Sequence, residues 1–279
     1  MNLQQTLRGR ISFSGVGLHT GRKTRATIEP AEPDSGLVFA LEGGVRIPAL
    51  AENVIDTSRC TVLGSGAVSV STVEHVLSAL RGMGVDNALI EVEGGEIPVM
   101  EGSAKVFADA IADAGLATSN VPRHVFRPDR AMGFRDDDKT VAILPSLAWK
   151  IKFTVVYPPP IGTQFFEAEM TPSLYHEQIA PARTFGYLHE VQELLARGLA
   201  QGGTLDNAIV FAPDGPLQPL RWPDEPVRHK VLDMIGDFAL LGMYPQCEVV
   251  ALKSGHKLHA AVMAELRASE RASRALSGQ

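Results

Sequence analysis

Histidines and carboxylates at helical spacing are the first chemistry legible in this chain. In Arg228-His229-Lys230-Val231-Leu232-Asp233-Met234-Ile235-Gly236-Asp237, His229 and Asp233 stand four residues apart, with Asp237 one turn further on. Residues i and i+4 share a helix face, so an imidazole and a carboxylate converge there. Such a pair is half of a zinc site. It is equally a surface pair that supports the helix without any metal. A second candidate is Ser71-Thr72-Val73-Glu74-His75. Ser71 and Glu74 fit a capping box, which would make both structural. The apolar neighbours Val73, Val76 and Leu77 leave open another reading, a Glu–His pair that could supply one metal ligand and an adjacent general base. The helix N-terminus disfavours protonation of His75 and so keeps a lone pair available.

Two weaker candidates follow. His256, in Lys253-Ser254-Gly255-His256, lies after an expected strand and before the last helix, where a histidine is well placed for general-acid work. Thr184, in Ala182-Arg183-Thr184-Phe185-Gly186, carries a hydroxyl that could donate to an oxyanion; the competing reading is a simple turn. The glycine-rich Gly15-Val16-Gly17-Leu18-His19-Thr20-Gly21 makes a poor phosphate loop, because no helix is evident after it.

These residues need elements to hold them. The first 70 residues read as short strands and turns, with β-favourable runs at 24–28 and 37–41. Near Ser71 the period changes. Val73, Val76, Leu77 and Leu80 recur at helical spacing until Gly82 and Gly84. A strand at 87–92 and a helix at 105–114 follow. Residues 121–123 read as a linker, after which strands are expected at 139–144 and 150–156. A helix at 188–197, a strand at 209–211, a helix at 226–241, a strand at 248–252 and a helix at 258–276 complete the chain. Its charged stretch 265–274 is expected to project or fray. Both halves end helix, strand, helix, which suggests two α+β domains, 1–121 and 122–279. The similarity is one of element order; no residue-by-residue repeat stands out.

Acidic residues outnumber basic ones, 32 to 26. A general nucleic-acid coat is excluded on that ground, since it needs a basic surface. Cys60 and Cys247 are the only cysteines, too few for a disulfide scaffold or a cysteine zinc finger. Isolated thiols fit a reducing compartment. Met1-Asn2-Leu3-Gln4-Gln5-Thr6 has no basic stretch followed by an apolar run, so no signal peptide is expected. No apolar run reaches ~18 residues. The expectation is a cytoplasmic, soluble chain without stable membrane insertion.

Seven blocks in order resemble one family, the zinc-dependent UDP-3-O-acyl-N-acetylglucosamine deacetylases of lipid A synthesis. They are Gly-Val-Gly-Leu-His-Thr-Gly from Gly15, Ser-Thr-Val-Glu-His from Ser71, Glu-Ile-Pro-Val-Met-Glu-Gly-Ser-Ala from Glu96, Ala-Arg-Thr-Phe-Gly from Ala182, Gly-Gly-Thr-Leu-Asp-Asn-Ala from Gly202, Val-Arg-His-Lys-Val-Leu-Asp from Val227 and Lys-Ser-Gly-His from Lys253. The resemblance implies Zn²⁺ held by His75, His229 and Asp233. It implies Glu74 as general base, His256 as general acid with Asp237 beside it, and Thr184 on the oxyanion. Phe185, Lys230 and His19 become substrate contacts. The implied fold is α+β, two βα sandwiches with their helices packed between two sheets. An insert at about 186–210 would form a passage for an acyl chain, with Leu188, Val191, Leu194 and Leu195 on one helical face and Leu199 after the stop. Two residues depart from the family's usual pattern: Glu101 stands where Asp is common, and His259 where Asn is common.

The resemblance also implies a mechanism and a partner. Two histidines and one aspartate leave a fourth metal position for water, which the metal makes acidic enough to ionise near neutral pH. The partner is a UDP-sugar carrying a 3-hydroxyacyl chain, handled by a monomer without nucleic acid. Two rival classes remain at this level. One is a nucleotide binder using 15–21 as a phosphate loop; the other is a structural protein with a closed metal site.

Overall fold

The structure, a computed structural model, describes residues 3–196 and 198–277. Its frame is a pair of five-stranded sheets. The first contains Ile11–Val16, Lys23–Pro30, Leu37–Leu41, Arg46–Pro48 and Ala88–Glu93; the second contains Met132–Asp136, Lys139–Pro145, Lys150–Val156, Thr163–Glu169 and Cys247–Leu252. In each, the last strand of the sequence lies in the middle of the sheet, between the second and the third. Ala88–Glu93 is antiparallel to Lys23–Pro30 and parallel to Leu37–Leu41. Cys247–Leu252 is likewise antiparallel to Lys139–Pro145 and parallel to Lys150–Val156. The shared element order is therefore a shared topology.

Each sheet has one apolar face. Along Cys247–Leu252, Cys247, Val249 and Ala251 are buried while Val250 and Leu252 are exposed, the period-two pattern of a sheet covered on one side. The helices are α1 (Glu74–Gly82), α2 (Lys105–Ala114), the short α3 (Pro172–Leu174), α4 (Leu188–Ala196), α5 (Glu225–Ala239) and α6 (His256–Ser277); α4 packs apart from these faces, on the small sheet of Phe185–Tyr187 and Ile209–Ala212. Phe107 of α2 meets Phe13 of the first sheet edge-on, with centroids 4.7 Å apart. Helices α5 and α6 lie on the second sheet, and α5 also packs along α1. Every residue of α1 is buried, because both of its sides are covered. One apolar core runs through both sandwiches. This is the expected α+β architecture.

Several local expectations are corrected. The 121–123 stretch is no simple linker: Leu116–Pro122 is a strand paired antiparallel with Leu3–Leu7. The charged tail is docked at least as far as Arg271. Arg267 donates to the Leu241 carbonyl at 2.6 Å, and both arginines pair with Glu52. Helix α4 runs over Leu188–Ala196, and Arg197, where the helix is expected to end, lies outside the described residues. The capping box does not form. Val73 is the N-cap, and no side chain caps α1.

The seam between α1 and α5 depends on Gly236. A Cβ built there would run into the carbonyl oxygen of Glu74. Gly236→Ala is expected to destabilise the fold by about 1–3 kcal/mol through overpacking. It should also weaken metal binding, because it pushes His75 away from α5. A thermal melt read beside a metal titration checks both effects.

Candidate metal centre and active site

Backbone geometry brings the candidates together from three helices. Glu74 and His75 open α1, His229, Asp233 and Asp237 lie along α5, and His256 is the first residue of α6. One ligand atom from each of His75, His229 and Asp233 lies within 4.8 Å of the others, and all three residues are buried. His75 Nε2 is 3.7 Å and His229 Nε2 3.3 Å from Asp233 Oδ1. His229 Nδ1 donates to the Ala182 carbonyl at 3.0 Å, which leaves Nε2 with its lone pair toward the group.

The protonation states suit metal ligands. Burial, reinforced by His229, pushes His75 down to about 3. Burial also lowers His229. Burial opposes ionisation of Asp233, yet His229 and Lys230 hold its carboxyl well below the usual range. Lys230 Nζ donates to Asp233 Oδ2 at 2.6 Å. Two neutral imidazoles and a carboxylate are a donor set that fits zinc and, as a group of three among the described residues, leaves a further coordination position.

Two opposed groups flank this triad. Burial pushes Glu74 up to about 7, although His256 acts the other way. Its Oε2 accepts the Thr61 backbone N–H at 3.0 Å; with its side chain engaged there, it caps nothing in its own helix. Burial opposes charge on His256, but Asp237 overrides it and carries the imidazolium up to about 9. The bond between them is short, His256 Nδ1 to Asp237 Oδ2 at 2.8 Å. A positive helix N-terminus works against a charged His256, so this carboxylate is needed there. His256 Nε2 then faces Glu74 Oε1 at 4.0 Å and Asp233 Oδ2 at 3.8 Å.

A cavity of about 570 Å³ opens from this cluster. Thr184, Phe185, Lys230 and His19 line it, together with Leu188, Val191 and Leu194 of α4 and Leu205, Val210 and Leu217. The Phe185 ring meets His229 edge-on at 6.0 Å. Thr184 sits beside Ala182, and this segment is anchored to α5. Arg183 donates to the fully buried Glu225 through its backbone N–H at 3.1 Å and through Nε at 2.9 Å. That ion pair escaped the sequence reading, since nothing local couples residues so far apart. Two of the leucines behave differently. Leu195 is 51 % exposed, and Leu199 does not line the cavity. Its N–H closes the end of α4 on the Leu194 carbonyl, after Gly198 at φ 73°, and this turn carries it away from the wall. Glu101 lies outside the cavity as well and pairs with Arg221 at 3.5 Å.

The glycine-rich loop has its own anion. Glu96, completely buried, accepts the backbone N–H groups of His19 and Thr20 at 2.8 and 3.0 Å and the Thr20 hydroxyl at 2.6 Å. A Cβ at Gly17 would strike this carboxylate. The donors a phosphate would need are spent, which removes the nucleotide-loop reading. His19 Nδ1 is buried without a protein partner among the described residues.

Residues 4–268 match the family described as LpxC, UDP-3-O-acyl N-acetylglycosamine deacetylase. Among curated relatives, the UDP-3-O-acyl-N-acetylglucosamine deacetylase of Syntrophotalea carbinolica is 43% identical over 265 residues, which is 93% of this chain and 86% of that protein. The protein of the same name from Chlamydia abortus is 42% identical, covering 93% and 95% respectively. That from Oleidesulfovibrio alaskensis is 45% identical, covering 92% and 86%.

Proposed function

The chain belongs to the UDP-3-O-acyl N-acetylglycosamine deacetylase family and is an amide-cleaving enzyme of lipid A biosynthesis; from that premise we propose how its own residues act. The reaction removes the N-acetyl group of a UDP-3-O-acyl-N-acetylglucosamine, giving acetate and the free amine. His75, His229 and Asp233 hold Zn²⁺, which when bound supplies a Lewis acid and acidifies a water toward neutral pH. Glu74 takes a proton from the attacking water. The Thr184 hydroxyl donates to the amide oxygen as negative charge develops there. His256, kept cationic by Asp237, gives its Nε2 proton to the departing nitrogen, which leaves poorly as an anion. Lys230, Phe185 and His19 contact the substrate.

The carrying observation is the convergence of His75, His229 and Asp233 within reach of one ion, flanked by Glu74 and by the His256 ring held on Asp237. The cavity leading from them supports a passage for a 3-hydroxyacyl chain formed by residues 186–210, with Leu194 in its wall. We read 1–121 and 122–279 as two domains of one duplicated plan, a reading supported by the matched strand orders. The enzyme works as a cytoplasmic monomer on this reading. Among the described residues, no helix is long and apolar enough to cross a membrane.

The test is acetate release from UDP-sugars of graded acyl length, before and after chelation and re-addition of zinc. Turnover should vanish with the metal and return with it. Each buried methylene is worth up to ~0.8 kcal/mol, about fourfold in kcat/KM, so kcat/KM should climb with chain length and then level off. Leu194→Trp should penalise long chains more than short ones, whereas Leu199→Trp should not. Equal kcat/KM for acylated and unacylated sugars would rule out the passage.

A further inference from the structure

Behind the acid lies a histidine to which this mechanism gives no role. His259 is completely buried on α6, one turn beyond His256. Its Nδ1 is 2.8 Å from Asp237 Oδ2, the same oxygen that His256 Nδ1 reaches at 2.8 Å. Its Nε2 is 2.8 Å from the hydroxyl of the buried Ser254. The other oxygen of Asp237 accepts the Thr61 hydroxyl at 2.7 Å. The ring is set edge-on between Phe153 and Phe238, with centroids 6.3 and 6.0 Å away.

The direction of each bond follows from donor and acceptor capacity. An ionised carboxylate only accepts, so both imidazoles must carry hydrogen on Nδ1. His259, buried among phenyl rings, stays neutral, so its Nε2 is an acceptor and Ser254 is the donor. Three donors therefore fix Asp237: Thr61 on one oxygen, His259 and His256 on the other. A carboxylate held at both oxygens cannot rotate away from His256, and a shared oxygen fixes the angle at which that ring is held.

We propose that His259 is a positioning residue for the deacetylation: a neutral imidazole, itself oriented by Ser254, that locks Asp237 and through it aims His256 Nε2 at the departing nitrogen. The proposal rests on the reading of His256 as the acid. His259 touches neither substrate nor metal ligand in this arrangement; it acts by orientation, and its loss should lower kcat while leaving substrate binding alone.

The experiment compares His259→Asn, His259→Phe and Ser254→Ala with His256→Ala in the zinc-loaded enzyme, together with ¹⁵N NMR of the histidine rings. His259→Phe keeps the aromatic packing and removes both hydrogen bonds. His259→Asn retains a donor toward Asp237 but not the bond to Ser254. Partners of this kind typically matter by about ten- to a hundredfold, and that loss is expected in kcat for His259→Phe. KM should change by less than about twofold, with zinc content unchanged. His259→Asn should fall between this variant and the parent, and Ser254→Ala should lose a few-fold. NMR should find His259 protonated at Nδ1 only. Should His259→Phe fail to fold, His259→Asn and Ser254→Ala still decide the question. Parental kcat in the folded variants, or a His259 ring lacking hydrogen on Nδ1, overturns the proposal. Parental kcat in His256→Ala would instead overturn the assignment of the acid, and with it this inference.

Discussion

His229→Ala should leave a folded chain that no longer retains zinc, with deacetylation reduced by about a thousandfold or more. Two of three protein ligands then remain, and the acidified water depends on the ion being held. A general base without such a water supplies only a fraction of the acceleration, since acid–base assistance alone contributes about 10²–10⁴-fold. The fold itself should survive, because His229 contributes one polar bond, to the Ala182 carbonyl, inside an extensive apolar seam. Thermal melts give an independent check. A ligand present at a hundred times its Kd stabilises a protein by about 2.7 kcal/mol, so chelation should lower the melting temperature of the parent. The melting temperature of His229→Ala should not respond to chelation. Full zinc occupancy in that variant would sink the ligand assignment.

The second large effect is on the pH profile. On the proposed mechanism, activity needs Glu74 ionised and His256 protonated at the same time. Glu74 is pushed up to about 7 by burial, so its contribution is lost as pH falls through that region. A bound cation beside it would stabilise the carboxylate and shift this limb to lower pH. His256 is carried up to about 9 by Asp237 against the pull of burial, so its contribution is lost as pH rises through that region. The plateau of kcat/KM therefore lies between the two limbs. Glu74→Gln should remove the acidic limb and cost about 10²–10⁴-fold, and His256→Gln should remove the alkaline limb with a loss in the same range. Unchanged limbs in both variants would show that other groups titrate.

Local spacing made parts of this arrangement legible. His229 and Asp233 belong to one helix face whatever surrounds them, and α2 was bounded correctly because Gly115, with φ 70°, stops it. Other features depend on contacts that no local pattern encodes. The Ser71–Glu74 spacing suggests a capping box, yet Thr72 turns at φ 59° and Thr61 claims the Glu74 carboxylate. Thr163–Glu169 is an edge strand with one solvent face, and its alternation is hidden because the exposed Phe165 stands beside the buried Phe166. The sequence assigns no partner to Glu96 or Glu225 and marks His259 only as a departure from the family's pattern, because their partners are brought to them only by the tertiary fold. The α4 face looked like four equivalent leucine and valine positions. The helix lies so that Val191 and Leu194 line the cavity while Leu195 faces solvent.

The division of the ligands between α1 and α5 has a consequence for how the enzyme matures. His75 comes from the first sandwich, while His229 and Asp233 come from the end of the second. On the proposed ligand set, the first sandwich carries one ligand and no metal site of its own. Contacts so distant in sequence form late, since the intervening chain must be ordered first. If the site holds zinc as proposed, the ion is expected to bind late in assembly, once α1 and α5 have packed, and to pin one helix to the other. Without the ion, Glu74 is still held against α5 by the packed seam at Gly236 and through Thr61, whose N–H reaches Glu74 and whose hydroxyl reaches Asp237.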